Sequence, residues 1–81
     1  MSTHQPRLVV YGRRDCSLCE QMLAAVRRIA GPALDVGYCD VDSDAGLAQR
    51  YGPDVPVLCL DGEVVCCHFL DEDRLAAALG R

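Results

Sequence analysis

Two apolar runs separated only by Asp61-Gly62 constrain this chain more than any other feature. Val55-Pro-Val-Leu-Cys-Leu60 is continuously apolar, as a strand buried on both faces must be. Glu63-Val-Val-Cys-Cys-His-Phe69 follows at once and reads as its partner. Asp-Gly between such runs is a strong hairpin signal, because a two-residue turn needs positive φ at both central positions. An antiparallel pair in the C-terminal half is therefore expected.

The N-terminal half has a different pattern. Arg7-Leu-Val-Val-Tyr11 reads as a strand ended by Gly12. From Cys16 to Ala30 the residues Cys19, Met22, Leu23, Val26, Ile29 and Ala30 recur at helical spacing, with Glu20, Gln21, Arg27 and Arg28 off the stripe. Asp15 is the expected N-cap and Gly31-Pro32 the stop. Leu34 to Val41 is the expected second strand. Ser43 is expected to cap a short helix through Tyr51, which Gly52-Pro53-Asp54 ends. Asp71-Glu72-Asp73 puts acids in the first turn of a last helix, with Leu75, Ala78 and Leu79 as its apolar stripe and Gly80 after it.

The predicted order is β-α-β-α-β-β-α. A helix between the first two strands packs back on the sheet and makes them parallel, whereas the hairpin is antiparallel. The expected fold class is α/β, a mixed four-stranded sheet flanked by three helices. At 81 residues the chain suits one domain, spanning 1–81, and its 51% apolar content is ample for a shared core.

Composition narrows the function. The net charge of −4 disfavours nucleic acid, whose phosphates demand clustered cations, and Arg27-Arg28 reads as solvated surface. No apolar run approaches the roughly 18–20 residues that span a bilayer, so no membrane partner is expected. Met1-Ser-Thr-His-Gln-Pro6 lacks the basic and apolar regions of a secretory leader, so a cytoplasmic location is expected; a monomer is expected as well. Six cysteines in a secreted chain would suggest a three-bridge framework. Here they sit inside apolar runs, and reduced thiols are the expectation. Cys39 and Cys59 read as small core residues. Cys66 and Cys67, adjacent on a strand, should face opposite ways as free thiols, one of them a candidate auxiliary thiol. His68 reads as a surface strand residue. Asp40-Val-Asp-Ser-Asp44 opens like a calcium loop, but Ala45 and Tyr51 stand where the loop needs Gly and Glu. Those acids are better strand-end and capping residues.

The residues that carry chemistry are Cys16-Ser-Leu-Cys19, directly after the first strand and at the start of the first helix. Unpaired N–H groups and the positive dipole end favour a thiolate there. A thiolate is the nucleophile in disulfide exchange. Two intervening residues place Cys19 one turn on, within bridging reach. Cys16 is thus the expected attacking nucleophile and Cys19, on the buried stripe, the resolving thiol. Arg13 is a candidate to add positive charge beside Cys16. One C-x-x-C is also half of a zinc site, with Cys66, Cys67 and His68 as the other half. Opposite-facing neighbours make that chelation awkward, and no metal ligands are assigned.

A C-x-x-C after a first strand, with Val55-Pro56 forty residues on, resembles the thioredoxin superfamily. The short leading strand is similar to its glutaredoxin-like branch, as is Tyr51-Gly-Pro-Asp-Val-Pro-Val-Leu58 followed by Asp61-Gly62. The resemblance implies a cis peptide before Pro56, with Val55 and Pro56 holding an extended substrate beside Cys16. Where glutaredoxins commonly carry Pro-Tyr or Pro-Phe between the cysteines, this chain has Ser17-Leu18. Val55 replaces the family's Thr, and Cys67-His68-Phe69-Leu70 replaces its Gly-Gly. Asp71 or Glu72 remains as an acid for a substrate amine.

The expected function is that of a small thiol–disulfide oxidoreductase acting on protein or low-molecular-weight disulfides, with no tightly bound cofactor. Glutathione or a thioredoxin reductase-type donor would supply electrons, and the departures above weaken the case for glutathione. A non-catalytic adaptor is the alternative, with a zinc or iron–sulfur protein the third reading.

Overall fold

The computed structural model describes residues 6–81, so the expectation of a missing leader falls largely on residues outside those described. Four strands, β1 (Leu8–Gly12), β2 (Val36–Asp40), β3 (Val57–Leu60) and β4 (Glu63–Cys67), form one sheet in the order β2-β1-β3-β4. Helices α1 (Ser17–Ala30), α2 (Ala45–Tyr51) and α3 (Glu72–Ala78) complete the β-α-β-α-β-β-α order. β1 and β2 are parallel, while β3 is antiparallel to both β1 and β4.

Side-chain alternation on the central strands explains the layering. Leu58 and Leu60 of β3 join Leu8 and Val10 of β1 in one cluster with Met22, Val26 and Ala30 of α1, Cys66 of β4 and Leu75 of α3. Val57 and Cys59 turn the other way and pack with Val41, Tyr11 and, from α2, Leu47 and Tyr51. Helices α1 and α3 therefore cover one face of the sheet and α2 the other. Leu8, Val10, Val26, Leu58 and Leu75 are fully buried, each contributing about 1.5–3 kcal/mol of apolar transfer. All four β3 residues are buried, in keeping with the unbroken apolar run.

The hairpin turn forms as its sequence dictates, with Asp61 at φ 51° and Gly62 at φ 86°. Arg7 grips the Asp61 carboxylate at 2.9–3.0 Å, and the Asp61 N–H donates to the Arg7 carbonyl at 2.8 Å. One residue further along, β4 bulges. Cys59 faces Val64 but Leu58 faces Cys66, so Val65 is the extra residue. At the other end of the molecule, Arg81 donates to the Ile29 and Ala30 carbonyls at 2.9 and 3.4 Å, satisfying the last turn of α1.

Several boundaries differ from the sequence expectations. Cys16, not Asp15, caps α1, because Asp15 takes a left-handed φ of 56° in the preceding turn. Asp44, not Ser43, caps α2 through a 2.8 Å bond from the Gly46 N–H. Ser43 instead lies in a 3-10 turn and donates to the Asp40 carbonyl at 2.6 Å. The strand expected from Val55 starts at Val57, since Pro56 has no N–H to give a ladder. β2 runs only over Val36–Asp40, and β4 stops at Cys67 because His68 takes a φ of 70°. Cys39 is half-buried rather than a core residue, since β2 is an edge strand. Among the described residues no helix is long and apolar enough to cross a membrane.

Candidate active site

Strand pairing gathers the candidate residues at one end of the sheet. In the parallel β1–β2 pair Gly12 lies opposite Asp40, so the loops after both strands leave from the same end. Antiparallel pairing sets Tyr11 opposite Val57, and Val57 opposite Cys67. The Cys16 turn, the Val55-Pro56 segment before β3 and the Cys67-to-Asp71 turn after β4 therefore share that end.

Cys16 and Cys19 are joined as a disulfide, with Cα atoms 5.2 Å apart. Cys16 is half-exposed and Cys19 fully buried. The Cys16 Sγ also accepts the Cys19 backbone N–H at 3.2 Å. Sulfur thus occupies the place of an N-cap oxygen, at the positive end of α1. This bond ties the sulfur's electrostatics to the helix itself.

Two residues outside the cysteine motif, Gly12 and Tyr38, shape this corner. A Cβ on Gly12 would lie 2.9 Å from both Cβ and Sγ of Cys19 and would strike the Tyr38 hydroxyl. Only glycine lets the buried sulfur seat against the end of β1. Tyr38, from β2, donates to the Arg13 carbonyl at 2.9 Å and so pins the turn that leads to Cys16. Burial, then the nearby Asp40 and Glu20 carboxylates, raises the Tyr38 hydroxyl above its ordinary pKa, which keeps it a donor. The available signal was a glycine at a strand end directly before the cysteine motif.

The structure distributes the remaining candidates unevenly. The Val55–Pro56 peptide is cis, Pro56 is buried, and its carbonyl accepts the His68 N–H at 2.8 Å. His68 Nε2 lies 3.7 Å from Asp54 Oδ1, so its side chain leans back toward the same segment. Arg13 turns its guanidinium to Asp42, with Nε 3.3 Å from the carboxylate, and lies against Gly52. Both partners are substantially exposed, which makes this a weak surface pair. Asp71 caps α3 by accepting the Arg74 N–H at 3.0 Å. Its carboxylate is otherwise exposed beside Glu72.

The four other thiols are free. Burial pushes the Cys59 thiol up, against smaller opposing effects from the Tyr51 hydroxyl and Arg50. Burial likewise raises Cys66, with the Asp71 backbone N–H working the other way. Neutral thiols in apolar surroundings are poor nucleophiles. Cys67 is exposed, so the adjacent pair does face opposite sides. Among the described residues no group of three or more His, Cys, Asp or Glu side chains is placed to hold a metal ion.

Residues 7–80 match the model of the glutaredoxin-like domain family DUF836. A protein of Nitrosomonas europaea, solved by NMR in solution, is 33% identical over 96% of each chain, with a TM-score of 0.78. An X-ray structure of a protein from X. campestris is 35% identical, covering 90% of this chain and 95% of that one, with a TM-score of 0.71. Wheat glutaredoxin, at 17% identity, shares the fold at a TM-score of 0.57 over 78% of this chain and 63% of its own. No curated protein matches the sequence. The glutaredoxin-like thioredoxin fold and the close cysteine pair support a thiol-redox role and are consistent with oxidoreductase activity. With the family model spanning all but its two ends, this chain belongs to the glutaredoxin-like domain family.

Proposed function

We propose that the protein is a small monomeric thiol–disulfide oxidoreductase of the cytoplasm. The observation that carries this reading is the half-exposed Cys16 sulfur at the start of α1, bonded to the Cys19 N–H and bridged to a buried partner. In the reduced protein the same N–H and the helix dipole favour the Cys16 thiolate. That thiolate attacks one sulfur of a substrate disulfide, forming a mixed disulfide and releasing the first substrate thiolate. Cys19 then loses its proton and attacks the Cys16 sulfur. The second substrate thiolate leaves, and the Cys16–Cys19 bridge closes. Two electrons pass to the substrate, and an external thiol reductant returns the bridge to two thiols. Four free thiols elsewhere in the chain support a reducing compartment.

The direct test is reduction of hydroxyethyl disulfide with a dithiol as electron source. Cys16→Ser is expected to abolish turnover, and Cys19→Ser to accumulate the mixed disulfide on Cys16, visible by mass spectrometry. Full activity in Cys16→Ser would refute the assignment. Glutathione and thioredoxin reductase, offered separately as donors, identify the physiological reductant. Inertness with every donor would favour the adaptor reading suggested by Ser17-Leu18.

A further inference from the structure

Two exposed apolar side chains at the disulfide's end of the sheet line one cleft. Leu18, inside the cysteine motif, is 42% exposed, and Phe69, in the turn after β4, is 70% exposed. Between α1 and that turn lies a cleft of about 210 Å³, lined by these two together with Met22, Leu70, His68 and Glu72. Any substrate must bring its disulfide onto the Cys16 sulfur, so the surface beside the motif is covered during exchange. An exposed phenylalanine next to a leucine is otherwise an unfavourable surface for a small soluble domain.

The charges around this cleft are one-sided. Glu72 lines it, and Asp71 and Asp73 flank it at the start of α3, whereas Glu20 of α1 faces a separate hollow with Arg13 and Arg14. Helix dipoles account for part of that placement, but the solvent-facing field remains negative. The nearby cations are engaged or turned away. Arg13 is on Asp42, Arg14 shares a hollow with Asp40 and Asp42 on the β2 side, and Arg74 donates to the Val65 carbonyl at 3.4 Å. Glutathione would bring two carboxylates and one ammonium to a region that offers acids and apolar carbon. A peptide with an apolar residue and a Lys or Arg beside its cysteine would meet complementary groups on both counts.

We infer that the substrates are protein disulfides whose cysteine is flanked by an apolar and a cationic residue, in preference to glutathione disulfide. The inference rests on the oxidoreductase reading and names the substrate of that same site. Chemistry at sulfur is unchanged: the substrate disulfide is reduced to two thiols as the Cys16–Cys19 pair is oxidised. Phe69 and Leu18 take the apolar residue, and Glu72 with its acidic neighbours takes the cation.

The test mixes fully reduced protein with excess disulfide and follows closure of the Cys16–Cys19 bridge by acid quench and alkylation. The probes are hydroxyethyl disulfide, glutathione disulfide, and two symmetrical peptide disulfides that differ only in Lys or Glu beside a Leu-Cys pair. The Lys peptide is expected to react about tenfold faster than the Glu peptide at low salt, the difference shrinking at about 0.5 M salt. It should also outpace glutathione disulfide. Glu72→Lys should bring the two peptides together, and Phe69→Ser should slow both by about fivefold. Val64→Ser, an exposed apolar position on the edge strand, is the control and should change nothing. Cys→Ser versions of the peptides, titrated by NMR, read the same preference as binding without turnover. Equal peptide rates and affinities, or glutathione disulfide as the fastest probe, would overturn the inference and leave the oxidoreductase reading standing. A dimer lost in Phe69→Ser would overturn it in favour of self-association. Failure of every one of these disulfides to oxidise the pair would overturn both.

Discussion

Cys16 and Cys66 are the same side chain in two opposite settings. Cys16 stands where a helix begins, half-exposed, with a backbone N–H directed at its sulfur. Cys66 stands in a strand, 6% exposed, inside the cluster formed by α1, α3 and the sheet. One environment favours negative charge on sulfur and the other opposes it. The difference teaches that six cysteines in 81 residues are not one chemical property. The backbone assigns each thiol its role before any neighbouring side chain contributes.

The largest expected effect separates the two settings by reactivity. In the reduced protein at neutral pH, iodoacetamide should modify Cys16 at least about a hundredfold faster than Cys59 or Cys66, read by mass spectrometry of the peptides. Comparable rates would erase the contrast. Packing gives the next effect. Leu58→Ala, a fully buried position opposite Cys66, should lower stability by about 2–5 kcal/mol in urea unfolding. Cys66→Ser should cost about 1 kcal/mol, the Asp71 N–H offering its hydroxyl one partner. Redox turnover per folded molecule should be unchanged in both. A Cys66→Ser variant that lost turnover would show that the buried thiol takes part after all.

Alkaline pH should sharpen the comparison further. The Cys59, Cys66, Tyr11 and Tyr51 groups are all raised, in each case chiefly by burial. Raised acids hold their protons in the folded state while the unfolded chain ionises. Their contribution is therefore complete below the unfolded thiol value near 8.5 and declines as pH climbs past it. The urea midpoint should fall between pH ~8 and ~10, by less in Cys66→Ser than in the parent protein. The smallest effect belongs to the exposed Arg7–Asp61 pair at the hairpin. Arg7→Gln should barely move the midpoint, and salt should barely alter that result.

Much of this architecture was readable because the signals are local and redundant. Asp61-Gly62 between apolar runs, the helical stripe from Cys19 to Ala30 and the glycine stops each report a short-range requirement of the backbone. The cysteine motif could be placed on a helix start for the same reason. Adjacent competitors were harder to separate. Asp15 and Cys16 can both cap a helix, as can Ser43 and Asp44, and the choice turned on one residue's φ. The contacts at the site's back wall were not legible. Gly12 meets Tyr38, and Arg13 meets Asp42, only because parallel pairing brings the ends of β1 and β2 together. Nothing in the spacing of those residues announces it. Cys39 differed from expectation for a related reason, since strand order decides which strand is an edge.

The extra residue in β4 has a consequence of parity. From the Leu60–Glu63 pair, an unbroken ladder would set Val65 opposite Leu58 and Cys66 opposite Val57. Inside and outside would then be exchanged for every residue after Val64, and Cys66 would leave the cluster it now shares with Leu58 and Leu75. The bulge adds one to the count and reverses that outcome. A single odd residue thus decides which of two neighbouring thiols faces solvent and which is turned into the core.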